Sequence, residues 1–204
     1  MHINSSSAAA PVYALSFTTG GLLVREAATV APICLDGLDW MEVRDIALER
    51  NLLQARTRSA GIRLAREVAQ RLSVLSPEEL ELLVDATPTD RGYIMWVAAC
   101  RRYALIGEFA EEVLRERFLT LAGTVWHEDY DSFYRGKAMW HDELDQVADS
   151  SYKKLRQVLF RMMFEAALLN SKGHIEPVLL SARVAACLHQ RTPSDIRFFP
   201  TRAA

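Results

Sequence analysis

The chain has 204 residues, of which half are hydrophobic and a quarter charged, with a formal net charge of −2. That is an ordinary globular balance and enough length to bury a core in one large or two small domains. It excludes a protein that coats nucleic acid by bulk charge, so any such contact has to come from local patches.

Residues 1–12 lack the charged and apolar regions of a secretory signal and read as a flexible tail. Residues 13–75 read as a helix-turn-helix-like unit. Gly20-Gly21 opens a helix over Leu22–Ala31 that Pro32 closes, and Asp39 caps a second over Trp40–Arg50. Thr18, Thr19 and the following helix start offer a weak anion site. Between Arg50 and Arg71 stand Arg50, Arg56, Arg58, Arg63, Arg66 and Arg71, opposed only by Glu67. On a helical wheel from Thr57 to Leu75, Gly61, Leu64, Ala65, Val68, Leu72 and Leu75 share one side, while Ser59, Arg63, Arg66 and Gln70 share the other. A solvated helix face normally mixes signs, and this one hardly does. Guanidinium groups pair bidentately with phosphates, and Arg or Gln also reads base edges. Arg56, Thr57 and Arg58 sit at the helix start, where free N–H groups favour phosphate as well.

Residues 76–139 read as a helical middle. Ser76 as cap, Pro77 at the first position and Glu79 as capping-box partner start a helix that ends near Ala86. Another begins at Thr87-Pro88 and runs to Leu105, with Trp96, Val97, Cys100 and Ala104 as core; Gly107 breaks it before a helix over Glu108–Leu121. Gly123 precedes a further helix, His127–Met139.

Residues 140–204 read as a winged-helix-like unit. A short helix over Leu144–Ala148 precedes a long one in which Ser150 or Ser151 caps, Lys153, Lys154 and Arg156 crowd the first turn, and Leu155, Val158, Leu159, Met162, Ala166 and Leu169 face the core. Asn170–Gly173 is a tight turn carrying Lys172 at its tip, and His174–Glu176 forms a short strand stopped by Pro177. The order helix, turn, helix, wing is one that enters the major groove of DNA with its second helix. Leu179–Gln190 closes the unit, and Arg197–Pro200 packs back on the body. The predicted fold class is therefore mainly α, with two helix-turn-helix-like units, the second winged by a short β-hairpin, joined by a helical middle.

Other chemistry finds little support. Cys34, Cys100 and Cys187 are far apart, odd in number and set among apolar residues, which points to buried free thiols in a reducing cytoplasm. His127, Glu128, Asp129, Asp131, His141 and Asp142 are of metal-ligating type, but Asp and Glu also favour the first turn of a helix and the rings pack. No nucleotide-binding, hydrolase or metalloprotease motif occurs, so neither cofactor nor metal is expected. The most apolar segment, Tyr93–Ile106, is interrupted by Arg101-Arg102 and too short for a bilayer, so no membrane partner is expected.

Several segments resemble the BrxA family of BREX anti-phage defence systems. They are Ser16–Leu23, Asn51-Leu52-Leu53 followed by Arg56-Thr57, Arg71-Leu72 with Leu75, Phe109 with Glu112–Arg115, Phe133 with Lys137-Ala138, and Ser150–Leu155 leading to Glu165–Leu169. The resemblance runs from about Tyr13 to Phe199, and the order and spacing of the segments carry it. It implies a largely helical, non-enzymatic DNA-binding accessory of a multi-protein system that marks host DNA by adenine methylation, with methyltransferase and ATPase activities in other components. The residues themselves nominate Arg56, Arg58, Ser59, Arg63, Arg66, Gln70, Lys153, Lys154, Arg156 and Lys172 as the surface for double-stranded DNA. A scaffold docking other BREX components and an RNA-binding helical protein are the rival expectations.

Overall fold

A computed structural model describes residues 12–202; most of the tail expected over 1–12 lies outside the described residues. Helices α1 (Val24–Leu35), α2 (Trp40–Glu49) and α3 (Arg58–Leu72) form the first layer. They are followed by α4 (Pro77–Asp85), α5 (Pro88–Arg102) and α6 (Ala104–Phe109). A π-helical segment, Ala110–Arg115, carries α6 into α7 (Glu116–Leu119). Then come α8 (His127–Ala138), the single turn α9 (Asp142–Asp145), the long α10 (Asp149–Glu165) and α11 (Ala182–His189). The fold is mainly α, as its periodicities predict.

Helix α5 organises the rest. Its residues Gly92–Cys100 are all buried, the signature of a helix enclosed on every side. It packs against α3, α4, α6, α10 and α11. One contiguous cluster of buried side chains extends from Tyr13 to Phe199. The chain end returns to it as expected: Phe198 and Phe199 are buried, and the Trp96 indole N–H donates to the Phe198 carbonyl at 2.9 Å. Asp39 and Ser76 both build complete capping boxes, and Glu79 is also clamped by the Arg101 guanidinium at 2.6 Å, with Asp195 on the same Arg101 at 2.7 Å. That network ties α4, α5 and the C-terminal segment together.

Several expectations need correction. Pro32 does not close α1 but lies inside it, and the helix starts at Val24 after Leu23 in the left-handed region. The break after α5 falls at Tyr103, whose backbone is extended, and not at Gly107. Gly107 sits inside α6 because the Cys100 carbonyl approaches to where a side chain would stand, 2.9 Å from an added Cβ. Shifting the break leaves Ala104 exposed instead of in the core. Helix α10 begins at Asp149 with no side-chain cap, so Ser150 and Ser151 are first-turn residues and Lys153 opens the second turn. The short helix before it is the turn Asp142–Asp145, not Leu144–Ala148.

The predicted strand is a pair of isolated antiparallel bridges. Leu169 pairs with Ile175 around the turn Asn170–Gly173, and His174 pairs with Thr124 on its other side. Asn170 fixes the turn through its side-chain oxygen, which accepts from the Lys172 N–H at 2.9 Å, and Gly173 completes it with φ +73°.

Candidate nucleic-acid interface

The outer face of α3 follows from its sequence period. Thr57 is the N-cap, its hydroxyl accepting from the Ala60 N–H at 3.2 Å. Gly61, Ala65, Val68 and Leu72 turn inward and are buried, which leaves Arg58, Ser59, Arg63 and Arg66 exposed, with Gln70 half-buried at the far end. Ser59 to Gln70 spans roughly 16 Å of helix, about the rise of five base pairs. Arg56, before the cap, is exposed too and lines a 510 Å³ cleft with Arg58, between α3 and the end of α2. Arg56, Arg58, Arg63 and Arg66 have no carboxylate partner among the described residues.

The single acid of this stretch does not face them. Glu67 is buried, and its carboxylate takes the Arg71 Nε–H at 2.8 Å and the Tyr103 hydroxyl at 2.8 Å. Arg71 is wholly buried and donates from Nη1 to the carbonyls of Gly21 at 2.7 Å and Leu22 at 3.2 Å, while its Nη2 lies 2.7 Å from the Glu67 carboxylate. Burial, reinforced by the adjacent Glu67 carboxylate, pushes the Tyr103 hydroxyl up to about 12, so it stays a donor. Arg71, counted in the basic run, is thus a core residue. The i, i+4 spacing of Glu67 and Arg71, on the flank of the wheel between Arg63 and Leu64, is the sequence signal that points to this pair.

The second basic element is assembled differently. Lys153 and Lys154 are exposed, and Lys154 donates to Gln157 at 3.2 Å. Arg156 is tied to α8, its guanidinium lying 2.7 and 2.8 Å from the two Asp131 oxygens, while the Tyr152 hydroxyl bonds to the same carboxylate. Burial pushes the Asp131 carboxyl up, but those bonds from Tyr152 and Arg156 outweigh it and hold the group below the usual carboxylate range. Arg161 is paired with Glu165 at 2.7 Å. Lys172 stands exposed at the hairpin tip. Nothing in the local sequence signals Asp131 as the partner of Arg156, because the two are 25 positions apart.

The metal-type residues serve separate structural purposes. His127 stacks edge-on against Phe160, His141 contacts Tyr13 and Glu143, and Asp129 accepts from the Trp126 N–H and pairs with Arg117. Among the described residues, no three potential ligands converge. Cys100 is buried, Cys34 and Cys187 partly so, and all three are free thiols; burial raises each of them and keeps them protonated. No helix among the described residues is long and apolar enough to cross a membrane.

Together these features define a mainly helical protein with a one-sign basic helix on its surface. The chain belongs to the BrxA family, whose model matches residues 11–192. Relatives named BREX protein BrxA include one from Bacillus cereus (strain H3081.97), 26% identical over 166 residues that cover 81% of this chain and 83% of the relative. Another, from Escherichia coli O9:H4 (strain HS), is 25% identical over 183 residues, covering 87% and 84%. The fold matches a crystal structure of an uncharacterized protein from Magnetospirillum magneticum with a TM-score of 0.80 at 22% identity, across 93% of this chain and 100% of that one.

Proposed function

We propose that this protein is a non-enzymatic accessory of a BREX phage-defence system that binds duplex DNA in the cytoplasm, chiefly through phosphate contacts from α3. The observation that carries this reading is the segregation of charge on that helix and just before it: Arg56, Arg58, Arg63 and Arg66 face solvent without a carboxylate partner among the described residues, while Glu67 is turned into the core. Guanidinium groups held that way meet a phosphate backbone without first breaking an ion pair. Lys153, Lys154 and Lys172 extend the contact from a helix-turn-helix with a wing-like hairpin; Arg156 adds less, being held by Asp131. The boundaries expected near residues 75 and 139 then separate a principal DNA unit from a secondary one.

The experiment is a salt-titrated binding assay with duplex DNA, single-stranded DNA and RNA of matched sequence. Four to six phosphate contacts give a slope of log K against log salt of about −3.6 to −5.4 on duplex, with little dependence on sequence. Absence of duplex binding at low salt contradicts the reading, and tighter binding to RNA favours an RNA ligand.

One observation favours a second role beside this one. Met139 and Trp140 are 77% and 82% exposed at the end of α8, and exposed aromatic anchors are the usual centres of protein docking. A scaffold that holds other BREX components predicts loss of a partner in pull-downs from Trp140→Ala, with duplex affinity intact.

A further inference from the structure

The segment Thr18-Thr19-Gly20-Gly21 has no part in the reading above, yet the fold brings it against α3. We propose that Thr18, Thr19 and Gly20, together with Arg63, form a binding site for a single phosphoryl group. On the interface reading, that group is a backbone phosphate of the bound duplex; a free phosphate has the same chemistry.

The loop is fixed from below. Arg71 donates to the carbonyls of Gly21 and Leu22 at 2.7 and 3.2 Å, and the Leu22 N–H donates to the Glu165 carboxylate at 2.5 Å. Gly21 has no room for a side chain, because an added Cβ would collide with that carboxylate. The Leu22 N–H at the end of the loop therefore already receives one anion, the Glu165 carboxylate. On the outer side Thr18, Thr19 and Gly20 line a cleft of 410 Å³ with Ala60, Arg63 and Leu64. Among the described residues, the hydroxyls of Thr18 and Thr19 and the backbone N–H groups of Thr18 and Gly20 have no hydrogen-bond partner, while the Thr19 N–H closes the turn at Phe17-Thr18. Gly20 takes φ +73°, and a Cβ there would meet the Leu23 side chain at 2.5 Å.

Successive amides in a turn that ends in a left-handed glycine make a concavity for anions. Two hydroxyls beside them suit the several acceptor oxygens of a phosphoryl group better than a single halide. Arg63, exposed and without a carboxylate partner, supplies the charge in bidentate form. Arg71 and Glu165 hold the Gly21-Leu22 end of the loop in place, which limits the reorganisation its donors need on binding.

The test separates this site from the wider interface. In the full chain, titration with inorganic phosphate at low ionic strength is expected to shift the amide resonances of Thr18, Thr19 and Gly20 and the Arg63 Nε–H. The near-isosteric pair Thr18→Val, Thr19→Val removes hydroxyls but no charge. It should weaken duplex binding by at least roughly tenfold, the loss expected for one hydrogen bond to a charged group, while leaving the salt slope unchanged. Arg63→Gln should lower the slope by about 0.9. Unmoved loop amides together with parental duplex affinity in the valine pair overturn the site, even if the wild type binds DNA well. Shifted amides in a protein that binds no duplex uphold the site for free phosphate and reject the interface reading. Should the valine pair fail to fold, the wild-type phosphate titration decides alone.

Discussion

The two basic elements carry similar charge in the sequence and differ in what the fold does with it. On α3 the lone acid, Glu67, is buried with Arg71 and Tyr103, and the arginines outside are left without carboxylate partners among the described residues. On α10 the fold brings acids to the cations: Asp131 holds Arg156 and Glu165 holds Arg161. A basic run is therefore a binding surface only to the extent that tertiary structure leaves it unpaired. By that measure α3 is the stronger candidate and α10 with its hairpin the weaker.

The largest effect should come from the inward half of this arrangement. Glu67→Ala strands the buried Arg71 guanidinium and removes the acceptor of Tyr103, and breaking a buried pair in this way costs about 3–5 kcal/mol. Urea unfolding checks it; a loss below about 1 kcal/mol would mean that the pair is not what keeps the acid off the surface.

Next in size is the outward half. Arg63→Ala with Arg66→Ala should leave stability within about 0.5 kcal/mol of the parent, because both lie opposite the core stripe. At 0.1 M salt each lost phosphate contact forfeits about 0.9 of a decade, so duplex affinity should fall roughly sixty-fold. If the pair unfolds the protein, the face has been misassigned; if it binds normally, α3 is not the DNA surface. Replacing Lys153, Lys154 and Lys172 with alanine should weaken binding by less than about tenfold, and with glutamate by more, since the local field then reverses sign.

The smallest effect tests the reason for the difference. Asp131→Asn releases Arg156 and should tighten duplex binding a few-fold, at a stability cost of about 1 kcal/mol or less for so exposed a pair. The pH dependence carries a definite sign. The Asp131 carboxyl is held below its ordinary value, so its contribution to stability is fully present above the unfolded carboxylate pKa and is lost as pH falls through the folded one. Asp131→Asn should remove that part of the acid limb and nothing at neutral pH or above that scales with pH.

Much of this was legible in the chain itself. The wheel of α3, the capping boxes at Asp39 and Ser76, the turn at Asn170–Gly173 and the returning Phe198-Phe199 all follow from local rules. What local rules miss is competition between distant groups. Tyr103 breaks α5–α6 at the point where its hydroxyl reaches Glu67, which no residue-level propensity announces. Gly107 resembles a helix breaker until the Cys100 carbonyl is found against it. Arg156 looks like a free cation until α8 delivers Asp131, and the weak anion site at Thr18 and Thr19 has no cation beside it until Arg63 is placed across the cleft. In each case the missing information is a contact between elements, and a single sequence holds only the elements.

The most direct test of the unequal roles of the two elements is a pair of salt titrations on duplex DNA, one for Arg63→Ala with Arg66→Ala and one for Lys153→Ala with Lys154→Ala and Lys172→Ala. The account predicts that the α3 pair lowers the slope of log K against log salt by about 1.8, and that the lysine triple lowers it by less than the pair despite removing one more cation. A lysine triple that flattens the slope by about 2.7, with the arginine pair leaving it unchanged, would contradict the account and move the interface to α10 and its hairpin.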